Sequence, residues 1–390
     1  MITGHLISIV IASTLMFSAG CQTAPMVSIE PSQFTETLPV PTPESEREGT
    51  GIVIAAVGDI MLGSPYLDET RMPPNDGADL LKDVAPILHA ADIAFGNLEG
   101  VLVDSGESAK CKPVTPKKTP EPLEPEEKPK PIRCFSFRMP TRYGKHLKEA
   151  GFDILSLANN HSLDFGLTGI ASSRRTLDAL GIKHAGSDKL QYSTAYLDVN
   201  GLKVAFIGFA HNTVVPNVND LVTARRLVTE ADKTADIVVV SFHGGAEGTD
   251  AQHVPKRTEM YFGEKRGNLP LFSRTVIDAG ADLVIGHGPH VLRGLEVYKG
   301  RLIAYSLGNF ATYGWFRLEA ETALTAILEV ELGRDGAFIG GKIHAGRQVG
   351  RGIPVLDPDG TAIRKMRSLS NKDFPATAPK ITDDGIIAPR

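Results

Sequence analysis

Five short segments of this chain concentrate the side chains that bind metal ions and move protons. They are Gly58-Asp59-Ile60-Met61-Leu62-Gly63, Gly96-Asn97-Leu98-Glu99-Gly100 and Ala158-Asn159-Asn160-His161-Ser162-Leu163-Asp164-Phe165-Gly166, followed by Ser241-Phe242-His243-Gly244-Gly245-Ala246-Glu247. The last is Gly286-His287-Gly288-Pro289-His290-Val291-Leu292-Arg293-Gly294-Leu295-Glu296, continuing to Tyr305-Ser306-Leu307-Gly308-Asn309-Phe310. Asp, Asn, Glu and His together suit a divalent ion such as Mn, Fe or Zn. An ion so held polarises an ester, amide or phosphoryl oxygen and lowers the pKa of a bound water. The candidate metal ligands are Asp59, Glu99, Asn160, His243, His287 and His290, for one ion or two. His161 and Asp164 are candidates for a His–carboxylate pair that fixes the imidazole tautomer. Glu247 is a candidate general base. Arg293 and Asn309 are candidate substrate contacts, Arg293 for an anionic group and Asn309 on the site floor. The bland alternatives are a turn-capping Asp59, satisfied core histidines and a surface Arg293. His5, His89, His146, His184, His211, His253 and His344 share no pattern and read as ordinary.

What must position these residues is a set of short apolar runs. Ile52–Val57 leads into Asp59, Ala91–Gly96 into Asn97 and Glu99, and Phe152–Ala158 into Asn160 and His161. Lys203–Phe209 is a further strand, Asp236–Ser241 leads into His243, and Ala281–Ile285 into His287. Each run is short and apolar, as buried strands are. Helical periodicity is read between them at Ala78–His89, Thr141–Ala150, Leu167–Leu180 and Phe272–Ala279. A hairpin is read around Lys299-Gly300, a strand at Ala323–Leu332 and a helix at Thr361–Ser370. Strand and helix alternate, which is the signature of an α/β fold. In open α/β sheets ligands bind at the carboxyl ends of strands, where every segment above falls. Gly308 predicts a turn with positive φ.

The rest of the 390 residues bounds the setting. Apolar residues make up 42% and charged residues 22%, with a net charge of −5, so the chain is of ordinary globular composition. No basic patch marks a nucleic-acid partner. Leu6–Phe17 is an uncharged apolar run too short to span a bilayer. With Ser18-Ala19-Gly20-Cys21 behind it, the run resembles a bacterial export signal of the lipobox type, which implies acylation at Cys21. An ordinary cleaved signal is the alternative. Residues 22–50, rich in Pro, Ser, Thr and Glu, have no apolar periodicity and read as a disordered tether. Cys111 and Cys134 bracket a Pro/Lys/Glu-rich insert, so in an oxidising envelope a disulfide is the simplest reading and two free thiols the other.

In order and spacing, the five segments resemble the CapA-type family of capsule proteins associated with poly-γ-glutamate synthesis. The resemblance runs from about residue 52 to about residue 350. It implies a branch of the metallophosphatase fold, a four-layer α/β/β/α sandwich with the Pro-rich insert at 111–134. Residues 1–21 are then a lipoprotein signal, 22–50 a linker, 51–350 the domain and 351–390 an extension docking on it. Carried over motif by motif, Asp59, Asn160, His243, His287 and His290 fall on ligand positions. His161 matches the histidine that assists the leaving group. Met61 stands where the wider superfamily has a histidine ligand, and the final histidines are separated by Gly288 and Pro289 rather than by one residue. The resemblance implies a membrane-anchored envelope protein working on an anionic polymer beside membrane synthesis proteins. Its role would be that of a metal-dependent hydrolase, a non-catalytic polymer-binding accessory, or a metallophosphoesterase.

Overall fold

The computed structural model describes residues 51–66, 69–111, 134–188 and 191–390. The stretch read as an export signal, Cys21, the stretch read as a tether and the interior of the insert lie outside the described residues. Cys111 and Cys134, at the ends of that insert, are disulfide-bonded, with their Cα atoms 5.6 Å apart.

Among the described residues, sixteen strands join in one hydrogen-bonded ladder that folds into two facing halves. The first half runs Ile154–Ser156, Ile93–Leu98, Ile52–Met61, Leu324–Leu332 and Phe338–Val349, in that spatial order. The second runs Gln191–Val199, Leu202–Ala210, Ile237–His243, Leu283–His287, Arg301–Ala304 and Leu295–Tyr298. Lys183–Asp188 joins them, pairing parallel to Ile154–Ser156 and antiparallel to Gln191–Val199. The site-bearing strands are mutually parallel within each half: 52–61 with 93–98 and 154–156, and 237–243 with 202–210 and 283–287. Their carboxyl ends therefore point the same way.

The three largest apolar cores show the layering. Alternate side chains of a strand point to opposite faces. Thus Ile54, Phe95, Phe206, Val239 and Ile285 meet between the two halves, where the Phe95 and Phe206 rings stack at 5.5 Å. Their neighbours Ala55, Val57 and Leu155 face outward onto Leu88, Leu147 and Leu177 of helices Ala85–Ala90, Gly144–Glu149 and Gly166–Ala179. On the other side Val238, Val240 and Val284 face Val228, Phe272 and Val276 of helices Leu221–Asp232 and Leu269–Ile277. Helix, sheet, sheet and helix are thus four layers around three cores. Strands covered on both faces have no polar side, which is why their sequences read as continuous apolar runs.

Several strands, among them Gln191–Val199 and Phe338–Val349, were not read from the sequence, and two helices differ from that reading. The helix expected over Ala78–His89 is confined to Ala85–Ala90, because Pro86 lacks an N–H and clashes with a preceding turn, so the helix starts there. The helix Leu221–Asp232 was not anticipated; it is capped by Asp220, whose carboxylate accepts from Thr223 N at 3.0 Å. Residues 351–390 are woven into the body. Ile353–Leu356 and Ile386–Ala388 pair with Phe338–Val349. The helix Thr361–Asp373 receives the Leu295 N–H on Ser370 Oγ at 2.8 Å. Among the described residues no helix is long and apolar enough to cross a membrane.

Candidate metal centre

The strand 52–61 delivers Asp59 through a register shift against both of its parallel neighbours. The shift is possible because residue 58 is glycine: a Cβ there would lie 2.0 Å from Gly308 O. The 306–309 turn crosses so close that Asp59 N donates to Gly308 O at 2.9 Å. Gly308 has φ +65°, which the turn requires and glycine permits. The crossing sets Asn309 opposite Asp59 in register. Beyond the shift, Met61 turns into the apolar core under the helices, away from the site.

Asp59 and Glu99, both fully buried, are the two poles of the centre. At the first pole Asp59 Oδ1 accepts from Asn97 Nδ2 at 2.8 Å and lies 3.7 Å from His287 Nδ1. Asp59 Oδ2 accepts from His290 Nδ1 at 3.0 Å, and Asn309 Oδ1 lies 3.1 Å from the same nitrogen. At the second pole three imidazole nitrogens converge on Glu99 Oε1: Nε2 of His161 and of His290 at 3.7 Å each, and Nε2 of His243 at 3.9 Å. His290 thus spans both poles. It does so from a left-handed backbone, φ +59°, an uncommon conformation outside glycine that has to be held by its surroundings. Asp59, Glu99 and His290 each present a ligand atom, all within 4.8 Å of one another.

The electrostatics follow from burial. Burial pushes the Glu99 carboxyl well above its usual range; the His290 charge opposes this, and Asp59 and Glu247 add to it. Burial also disfavours the His290 cation, but Glu99, Asp59 and Glu247 outweigh it and raise the imidazole to about 10. With fewer carboxylates beside them, His287 is pushed down to about 4 and His243 well below its usual value, both chiefly by burial. His161 is lowered by burial against the pull of Asp164. Buried polar atoms nearly always have partners. Here both Glu99 oxygens, His243 Nε2, both His287 nitrogens and Asn160 Oδ1 are buried without a hydrogen bond. The Glu99 carboxylate, an amide oxygen and several imidazole nitrogens without partners, beside the Asp59 carboxylate, are a donor set a divalent ion takes, so the residues fit such an ion.

The remaining expected residues are placed as follows. His161 Nδ1 donates to Asp164 Oδ2 at 2.7 Å, and Phe137 N donates to the same oxygen at 2.7 Å. The His161 ring lies on Phe137, with centroids 4.0 Å apart. Glu247 is a step further out: one oxygen accepts from Arg266 at 2.8 Å and the other is 3.9 Å from His290 Nε2. Asn309 Oδ1 lies 3.1 Å from His290 Nδ1 and its Nδ2 donates to Thr322 O at 3.3 Å. Arg293 does not open to the site at all. It is fully buried and bonded to Glu259, because its long side chain runs back beneath the loop that carries Glu247. The candidate ligand set read from the sequence left out Asn97 and Asn159, which form the spine of the centre: Asn159 Nδ2 donates to Asn97 Oδ1 at 3.2 Å and to Leu98 O at 2.8 Å. The signal available was their place at strand ends. Sequence reasoning also passed over His211, whose ring lies 6.3 Å from that of His243 and whose Nε2 faces Glu264 at 3.4 Å. No spacing motif marks that residue.

The family model for the bacterial capsule synthesis protein PGA_cap matches residues 53–313, a span that contains every segment of the centre. The chain belongs to that family. It is 31% identical over 315 residues to the PGA biosynthesis protein CapA of Bacillus subtilis (strain 168), covering 76% of this chain and 72% of the relative. It is 28% identical over 332 residues to the capsule biosynthesis protein CapA of Bacillus anthracis, covering 80% and 72%. Among solved structures, a 5'-nucleotidase precursor from Thermus thermophilus aligns with a TM-score of 0.41 at 12% identity, over 83% of this chain and 59% of that one. A likeness of that size adds nothing to the reading of the centre.

Proposed function

We propose that this protein acts in the biosynthesis of an anionic envelope polymer of the poly-γ-glutamate type, as a metal-dependent hydrolase of an amide or ester bond. The observation that carries the chemistry is the convergence of Asp59, Glu99 and His290 within 4.8 Å, ringed by buried polar atoms without partners. The names of the CapA relatives support the polymer class and an envelope setting. Asp59, Glu99 and His290 would hold the ion, with His243, His287 and Asn160 completing its ligands. A bound Mn, Fe or Zn ion would polarise the scissile carbonyl and acidify a water. The chain's own contribution is orientation and proton transfer. Asp164 fixes the proton of His161 on Nδ1, which leaves Nε2 facing the Glu99 pole as the acid or base at the leaving group. Glu247, set by Arg266, orients His290 from outside. Anchoring through Cys21 would keep this chemistry beside membrane synthesis proteins, where polymer emerges.

The test is to incubate the protein with Mn and poly-γ-glutamate and follow polymer length by size-exclusion chromatography. Shortening or release of chains, lost in an Asp59→Ala, His287→Ala double variant, is the expected result. Saturable polymer binding with no bond cleaved under any metal would replace the hydrolase with a polymer-binding accessory.

A further inference from the structure

Arg293 was expected at the substrate and is instead the most deeply enclosed cation beside the centre. Its side chain is 0% exposed and that of its partner Glu259 is 5% exposed. The guanidinium makes a two-pronged pair with Glu259, NH1 to Oε1 at 2.9 Å and NH2 to Oε2 at 2.7 Å. Its remaining donors go to backbone: Nε to Ala251 O at 2.7 Å and NH2 to Ala246 O at 3.3 Å. Glu259 Oε2 in turn accepts from Ala246 N at 2.9 Å. The pair therefore grips both polar atoms of the peptide segment just before Glu247. The same loop is tied to the histidine-bearing segment by Gly244 N to His287 O at 2.9 Å and Gly248 N to Pro289 O at 3.0 Å. Arg293 follows His290 by three residues, and its own N–H donates to Ser306 O at 3.0 Å. One buried fork thus joins the loop carrying Glu247, the hairpin carrying Glu259 and Arg266, and the turn holding His290 in its left-handed conformation.

We propose that Arg293, paired with Glu259, is a positioning residue for the metal centre, fixing His290 and Glu247 relative to Asp59 and Glu99. This rests on the metal reading above. A planar fork suits the task because it fixes direction as well as charge, which a lysine ammonium does not. A buried ion pair is poor evidence for stability, since apolar replacement of both partners is often neutral. A role in geometry alone therefore separates from a role in folding.

The experiment compares wild type with Arg293→Lys, Glu259→Gln and the double variant Arg293→Met, Glu259→Leu. Each is checked for folding by its thermal melt. Each is then titrated with Mn(II), and the visible absorption of its Co(II) form is recorded. Folded variants are expected to bind Mn(II) about tenfold more weakly, the low end of what loss of support behind a metal site costs, and to show an altered Co(II) spectrum. A folded variant with wild-type Mn(II) affinity and an unchanged spectrum overturns the inference and leaves the metal reading intact. Should the single variants fail to fold, the double variant decides alone. A wild type that takes up neither ion overturns both readings together.

Discussion

The described residues hold two clusters of buried charge, and they are built on opposite terms. Around Arg293 and Glu259 the guanidinium reaches Glu259 and two backbone carbonyls, and both carboxylate oxygens accept hydrogen bonds. Around Asp59 and Glu99 the side chains are equally buried, yet both Glu99 oxygens and several imidazole nitrogens have no hydrogen-bond partner. The first cluster is closed and serves geometry. The second, open cluster leaves buried donors without hydrogen bonds, a set that could hold a metal ion. Proteins break the rule of satisfied interiors chiefly where function requires it, so the contrast separates scaffold from site without reference to any relative.

The largest effect is expected at the open cluster: Asp59→Ala with His287→Ala should abolish metal uptake, measured by elemental analysis, while circular dichroism stays native. Next, removing one partner of the closed cluster should be costly. Arg293→Met alone leaves Glu259 buried and unpaired and should lose about 3–5 kcal/mol by chemical denaturation. The contrasting substitution is Glu99→Gln. It replaces a buried carboxylate that accepts no hydrogen bond, so the metal-free variant should lose far less stability than Arg293→Met even as it stops binding metal. If Glu99→Gln destabilises as much as Arg293→Met, the two clusters are not different in kind. Away from both, Cys111→Ser with Cys134→Ser should cost roughly 3 kcal/mol and leave Mn(II) affinity unchanged. Smallest of all, Asp220→Ala, which uncaps the helix 221–232, should cost about 1 kcal/mol with no change at the centre.

The open cluster was largely legible in the sequence because its residues sit at the ends of apolar runs, and strand ends in parallel sheets converge. Asp59, Glu99, His243 and His287 could be grouped on that ground; His290 came only with the family resemblance. The closed cluster was not legible. Glu259 lies in a hairpin with no apolar run to announce it, and Arg293 has the exposed-cation look of most arginines until the fold buries it. The same limit explains Asn159 and Asn160. Adjacent residues point to opposite sides, and only the turn after Ile154–Ser156 decides that Asn159 joins the Asn97 spine while Asn160 keeps a free oxygen. Of the helices, Ala85–Ala90 was overextended because periodicity ignored Pro86, and Leu221–Asp232 was passed over although Asp220 marks its start.

Metal content decides whether the open cluster is a metal centre. The folded domain from Gly51 onward, purified without chelator, is analysed for Mn, Fe and Zn beside the Asp59→Ala, His287→Ala variant. Stoichiometric metal in wild type and none in the variant is the result expected. A well-folded wild type that holds no metal, even after reloading, would contradict it.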